Sequence, residues 1–222
     1  MQIGFDQIYC VSYCRNIVKQ QNIRRVMGYL GLKFDFIYGA DYTNLHVLKD
    51  VDFKGGPGND KEFLKDNWRY FTHFIGASYD HYTAVIRAYE SGANSVLIME
   101  DDCVFINDIQ YINYHLSNYP RGKDIIKFGV HNLTAIQDIP KNTYVKLDLE
   151  HYPGAQLYGL CNRDIMRRYI EWQRRNFVCC DYLFPSITDN WFGLVPPLAV
   201  DEYMLEKVDK PKGIIEANKY CL

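Results

Sequence analysis

The 222-residue sequence has no GxxxxGK stretch, no pair of CxxC pairs, and no apolar run approaching the roughly 18 residues of a membrane-spanning helix. The first absence removes P-loop phosphate chemistry. The second leaves a structural zinc site without support, and the third predicts no stable membrane insertion. An excess of charge of one sign is also missing. Lys and Arg number 25 against 27 Asp and Glu, for a net charge of -2, so no global basic balance points to nucleic acid as a partner. The paired arginines Arg24 with Arg25, Arg167 with Arg168 and Arg174 with Arg175 read as solvated helix faces. The opening MQIGFDQIYC lacks the basic start and long apolar run of a secretory leader. The seven cysteines, an odd number, have no repeated framework spacing. Together these features predict free thiols and a cytoplasmic setting.

What is present is a composition able to fold, with 48% apolar residues and an unusual wealth of aromatics, 19 Tyr and 12 Phe. The length suits one domain over residues 1–222. QIYCVS (7–12) reads as a strand, 17–30 as a helix carrying Val18, Ile23, Val26, Met27 and Leu30, and KFDFIYGAD (33–41) as a second strand, a βαβ-like opening. The GGPGND cluster marks 44–67 as a surface excursion, expected to be mobile. A helix is predicted over 73–91, with Ile75, Tyr79, Tyr82, Ile86 and Tyr89 on one stripe and Gly92 ending it. Strands follow at 94–99, 125–130, 143–149 and 155–160. Helices are expected over 108–118 and after Asn162, a capping residue with Asp164 in the first turn. CCDYLFPS shows little periodicity, and Pro196 and Pro197 predict an irregular end after about residue 195. The fold class is therefore α/β.

The stretch SVLIMEDDCVF runs four apolar residues into three carboxylates, Glu100, Asp101 and Asp102. Ligands of open α/β sheets collect outside the carboxyl ends of the strands, so a strand can bury Val96 to Met99 and deliver the acids into a crevice. Alternation along an extended chain would put Glu100 and Asp102 on one side and Asp101 on the other. Two carboxylates so placed can share Mg²⁺ or Mn²⁺, hard ions that leave positions open for phosphate oxygens. The plainer alternative is a charged strand end before a turn.

With its neighbours, this segment resembles the LPS-type glycosyltransferases of family 25, which extend bacterial surface glycans and include animal relatives that glycosylate collagen. In that family a serine and a histidine open a helix that ends in glycine shortly before a strand and an EDD motif. Ser78, Asp80 with His81, Gly92 and Glu100 to Asp102 are the matching positions. Residues 7–41 are similar to the family's opening strand, helix and second strand. YPGAQLYGLCNRDIMRRYI, Asp181 in CCDYLF and the proline segment VPPLAV resemble its later parts.

The resemblance implies a GT-A type, Rossmann-like mixed sheet flanked by helices. It also implies transfer of a hexose from a nucleotide sugar, with a UDP-linked donor as the first expectation, to a glycan, lipid-linked glycan or protein hydroxyl, with inversion at the anomeric carbon. Asp102 and then Glu100 are the expected metal ligands, with His131 as a possible third, for Mn²⁺ or Mg²⁺. Val11, Ser12, Tyr13, Ala40 and Asp41 are expected along the nucleotide, and Asp101 at the donor sugar or ribose. Asp181 is the expected general base, with a helix or turn cap as its plainer alternative because Asp is common in such loops, and Asp189, closer to Pro196, is its rival. His81 is read as a hydrogen-bonding support for the crevice, and Trp191 and Phe192 as either acceptor contacts or core. Two other functions stay open, a catalytically inactive carbohydrate-binding or assembly module and a metal-dependent nucleotidyltransferase.

Overall fold

Alternation in the strand VLIME sorts the core into two halves. Val96 and Ile98 pack into one cluster, Leu97 and Met99 into the other, and all four are inaccessible to solvent. A strand with both faces covered this way must lie centrally in a layered α/β structure. The computed structural model describes residues 3–39, 68–130, 143–147 and 154–202. Ala40, Asp41 and His131, and the excursion expected at 44–67, lie outside these described residues.

The chain opens with β1 (Gln7–Tyr13), α1 (Ile17–Leu30) and β2 (Asp35–Gly39). There follow α2 (Trp68–Glu90), β3 (Val96–Glu100), β4 (Cys103–Phe105) and α3 (Ile109–Ser117). Next come β5 (Ile125–Lys127), β6 (Gly129–Val130), β7 (Thr143–Lys146), β8 (Leu157–Leu160) and α4 (Arg163–Asn176). The last elements among the described residues are α5 (Cys180–Ile187), β9 (Trp191–Val195) and β10 (Ala199–Asp201). Seven strands form one sheet in the order β2-β1-β3-β8-β5-β9-β7, and β4-β10-β6 form a second, smaller one. β1, β2 and β3 are parallel to one another, β8 is antiparallel to β3 and β5, and β9 runs parallel to β5. Hence β1, β2, β3, β5 and β9 all end at the same edge of the sheet. Side chains of α2, α4 and α5 share a core with one face, and those of α1 and α3 with the other. The expected Rossmann-like mixed sheet flanked by helices is the architecture found.

Local chemistry sets the ends of these elements. Asp108 and Asn162 accept from the backbone N–H groups of Tyr111 and Ile165, capping α3 and α4. Gly31 (φ 68°) and Gly92 (φ 84°) close α1 and α2 in the left-handed conformation that a side chain would strain. The Arg167 and Arg168 side chains pair with Asp164, and Arg167 also with Glu171, on the solvent side of α4.

Several sequence expectations are corrected. The buried stripe of α2 is Ile75, Ser78, Asp80, His81, Ala84, Val85 and Ala88, while Tyr79 is exposed. The small and polar residues face inward because the helix packs closely at this point, and bulky rings are left to its flanks. α2 begins at Trp68, so Ser78 and His81 lie within the helix rather than at its opening. In α1, Val18 is exposed and Gln20 takes a buried place, donating to the Tyr13 carbonyl. The stretch 125–130 is two strands in different sheets, with Phe128 as the joint between them. CCDYLFPS is largely helix and WFGLV a strand. Pro185 is tolerated in α5 because its missing N–H removes a single bond from a short helix that is held by buried Leu183 and Phe184.

Candidate functional site

β3 ends at Glu100, and Asp101 and Asp102 form the turn into β4. Glu100 continues the face of Val96 and Ile98 and so points toward α2, where its Oε1 lies 3.1 Å from His81 Nε2. Asp101 lies over the head of α1, its Oδ2 accepting from Ser12 Oγ at 2.7 Å and Asn16 Nδ2 at 3.0 Å. Asp102 leans the same way, 3.9 Å from Lys19 Nζ, which also pairs with Glu202 at 3.2 Å. Strict alternation therefore stops at Glu100, because the two aspartates sit in a turn. Among the described residues one Asp102 oxygen, Oδ1, is buried without a hydrogen-bond partner.

Two further carboxylates converge on the same edge. Asp181 opens α5, a helix tied to α2 by the hydrogen bond from the Cys180 N–H to Ser78 Oγ. Asp201 is carried by β10, opposite Cys103 of β4, and is buried. Between them comes Lys127, the last residue of β5, which is wholly buried and donates to the Gly154 carbonyl. Neither Lys127 nor Asp201 stands out in the sequence. IIKFGV reads simply as a strand, and AVD falls in the stretch expected to be irregular after about residue 195. Lysine is so seldom fully buried that its place in this strand was the one signal available.

The electrostatics follow from crowding acids in a partly dry crevice. Burial, reinforced by Asp181, Asp101 and Asp201, pushes the Glu100 carboxyl up to about 8, against the pull of Lys127. Burial and then Glu100 push Asp102 to about 7, with Lys19 opposing. Burial holds the His81 imidazole down at about 4, despite Asp181, Asp80 and Asp102. It also lowers the Lys127 amine to about 8, which Asp181, Cys180 and Glu100 resist. Near neutral pH the His81 to Glu100 contact is thus a hydrogen bond between neutral groups. The second imidazole nitrogen, Nδ1, meets the Tyr158 hydroxyl at 3.0 Å, so the ring is held from both sides.

This site fits a hard divalent cation. Crowded carboxylates whose protons are held at neutral pH, together with a buried carboxylate oxygen lacking a partner, are what such an ion would relieve. Glu100 and Asp102 could hold it from the two sides of the β3 end, with Asp201 acting on both.

Of the expected site residues, Val11, Ser12, Tyr13, Glu100, Asp101, Asp102 and Asp181 come together at this edge. Val11 is core and Ser12 is committed to Asp101, which leaves Tyr13 as the partly exposed member of the three. Asp189 is not brought to the site. It lies just before β9, at the end of the sheet opposite Glu100, and is exposed. Trp191 and Leu194 are buried in the core, and Phe192 lies under Lys123 Nζ, 3.7 Å from its ring centre. Among the described residues no helix is long and apolar enough to cross a membrane.

No family model matches the chain, and no curated protein matches it. Among solved structures it is similar to the crystal structure of a glycosyltransferase involved in the glycosylation of the major capsid of PBCV-1. The two are 8% identical, with 97% of this chain and 98% of that one covered and a TM-score of 0.45.

Proposed function

We propose that the chain is a metal-dependent, inverting glycosyltransferase of GT-A type. In this reading it moves a hexose from a nucleotide sugar, UDP-linked in the first instance, to a hydroxyl of a glycan, lipid-linked glycan or protein. The observation that carries the reading is the meeting of Glu100, Asp102, Asp181 and Asp201 at the carboxyl edge of the sheet, with Asp102 Oδ1 buried and unpartnered among the described residues. The sequence resemblance to family 25 around the same EDD segment supports it.

Glu100 and Asp102 would hold Mn²⁺ or Mg²⁺, which supplies charge neutralisation for a departing diphosphate. His81 keeps Glu100 oriented and offers an N–H to it once the carboxylate is ionised. Asp101, through Ser12 and Asn16, fixes the end of β1 to the end of β3, so that Tyr13 is set beside the acids as a surface for the nucleoside. Lys127 places positive charge behind Asp181 and Glu100. Asp181, partly exposed at the head of α5, would take the acceptor proton.

Release of nucleoside diphosphate from a panel of nucleotide sugars, with and without acceptor glycans, tests the reading. Turnover that requires Mn²⁺ or Mg²⁺ and disappears with EDTA is expected. Turnover unaffected by EDTA, or none with any donor in a folded preparation, would overturn it.

A further inference from the structure

His81, Glu100 and Cys180 each offer a metal-binding atom, and these atoms lie within 4.8 Å of one another. Cys179, Cys180 and Asp181 form a second such group around the same thiol. An imidazole nitrogen, a thiol sulfur and a carboxylate oxygen therefore surround one point on the α2 side of the crevice, and a second carboxylate, that of Asp181, belongs to the thiol's other group. That mixture is poorly suited to Mg²⁺ or Mn²⁺, which take oxygen, and well suited to a tetrahedral soft or borderline ion.

The surroundings hold these donors in place. The Cys180 N–H is bound to Ser78 Oγ at 3.1 Å, which ties the head of α5 to α2. His81 Nδ1 rests on the Tyr158 hydroxyl at 3.0 Å and its ring stacks on Tyr158, so Nε2 is the nitrogen turned toward Glu100. A ligating histidine commonly has its other nitrogen fixed by such a partner. The Cys180 thiol is free and lies 3.9 Å from Asp181 Oδ1. Glu100, with 23% of its side chain exposed, gives the ion a way in from the crevice.

We propose that His81, Glu100 and Cys180, with Asp181 beside the thiol, form a second, thiophilic metal site that takes Zn²⁺ and, by capturing Glu100, opposes the hard cation. Binding forms a zinc–sulfur bond as the Cys180 S–H bond breaks. The thiol proton and the proton held by Glu100 pass to solvent as the two ligands bind, and no electrons are transferred. The site itself stands on the donor geometry. Its inhibitory effect rests on the transferase reading, because Glu100 is shared with the ion proposed there.

The test uses Co²⁺ as a spectroscopic substitute for Zn²⁺, with the full chain held anaerobically in a phosphine reductant. The wild type should develop a thiolate-to-cobalt charge-transfer band and tetrahedral visible bands that stoichiometric Zn²⁺ bleaches. Asp102→Asn and Cys14→Ser should keep them, and Cys180→Ser should lose the thiolate band while melting as the wild type does without metal. No thiolate band in the wild type, its survival in Cys180→Ser, or its loss in Cys14→Ser would overturn the site. Cadmium NMR on the unmutated chain gives a reading independent of the variants' folding. A shift between those of all-oxygen and multi-thiolate sites is expected, and an all-oxygen shift contradicts the proposal. In a parallel calorimetric arm, Zn²⁺ should weaken Mn²⁺-dependent UDP-sugar binding by about tenfold in the wild type and leave Cys180→Ser nearly unaffected. A thiolate band without any donor binding sinks the transferase reading and not the site, whereas donor binding without a thiolate band sinks the site alone.

Discussion

His81 Nε2 lies 3.1 Å from Glu100 Oε1, joining a wholly buried imidazole in the middle of α2 to the last residue of β3. This contact turns the carboxylate away from a purely solvent-facing strand end and makes α2 part of the site. His81→Ala would leave both Glu100 and the Tyr158 hydroxyl without their partner. A loss of about 1–3 kcal/mol in urea denaturation is expected, together with weaker donor binding. His81→Ala with unchanged stability and binding would show that the helix merely fills space.

Asp101 acts differently from its two neighbours. Its Oδ2 accepts from both Ser12 and Asn16, so Ser12→Ala removes a charge-assisted hydrogen bond between β1 and β3. The cost should be about 1.5–3 kcal/mol by chemical denaturation. A variant as stable as the wild type would mean that the bond is replaced by water at no loss.

Acid crowding gives the metal-free fold an inverted pH dependence. Glu100 and Asp102 titrate near 8 and 7 in the folded chain, against ordinary values of 4.5 and 3.8. Across those windows the folded state holds more protons than the unfolded one, so stability falls as pH rises. His81 opposes this between about 4 and 6.5, and Lys127 between about 8 and 10.5. The net fall therefore shows most clearly from pH 6.5 to 8, where neither compensates. A thermal melt in EDTA should be lower at pH 8 than at pH 6.5, and Mn²⁺ should narrow the gap. A melting temperature that rises over this interval contradicts the site's electrostatics.

The sequence offers Asp181 as the candidate base with Asp189 as its rival, and topology separates them. β9 runs parallel to β5, so Asp189 before β9 stands at the far edge from Glu100, while Asp181 at the head of α5 acts directly on Glu100, His81 and Lys127. Asp181→Asn should reduce kcat by about 10²- to 10⁴-fold with donor affinity nearly unchanged, and Asp189→Asn should have little effect. Steady-state kinetics with the two variants decides this, and a larger loss in Asp189→Asn would reverse the assignment.

The repeating patterns of the first strands and helices were readable because burial there follows simple periods. The two faces of VLIME and the capped starts of α3 and α4 are examples. α2 misled because its inner stripe is small and polar, with Ser78 and His81 where aromatics had the better period. α5 and β9 were hidden by Pro185 and Pro196, residues that usually end regular structure. At the site, the EDD acids were legible as a run, but their division between α1 and α2 depends on where β3 stops. Lys127 and Asp201 reach the crevice only through long-range pairing of β5 and β10, which no local pattern encodes.

The central claim is that Glu100 and Asp102 hold a divalent ion that a nucleotide sugar needs. Titration calorimetry with UDP- and GDP-sugars, each in Mn²⁺ and in EDTA, measures this directly when repeated with Asp102→Asn. The account predicts selective donor binding in Mn²⁺ that EDTA abolishes and that Asp102→Asn weakens by at least about tenfold in a chain that remains folded. Donor binding of equal strength in EDTA and in Asp102→Asn, or no binding by the folded wild type, would contradict it.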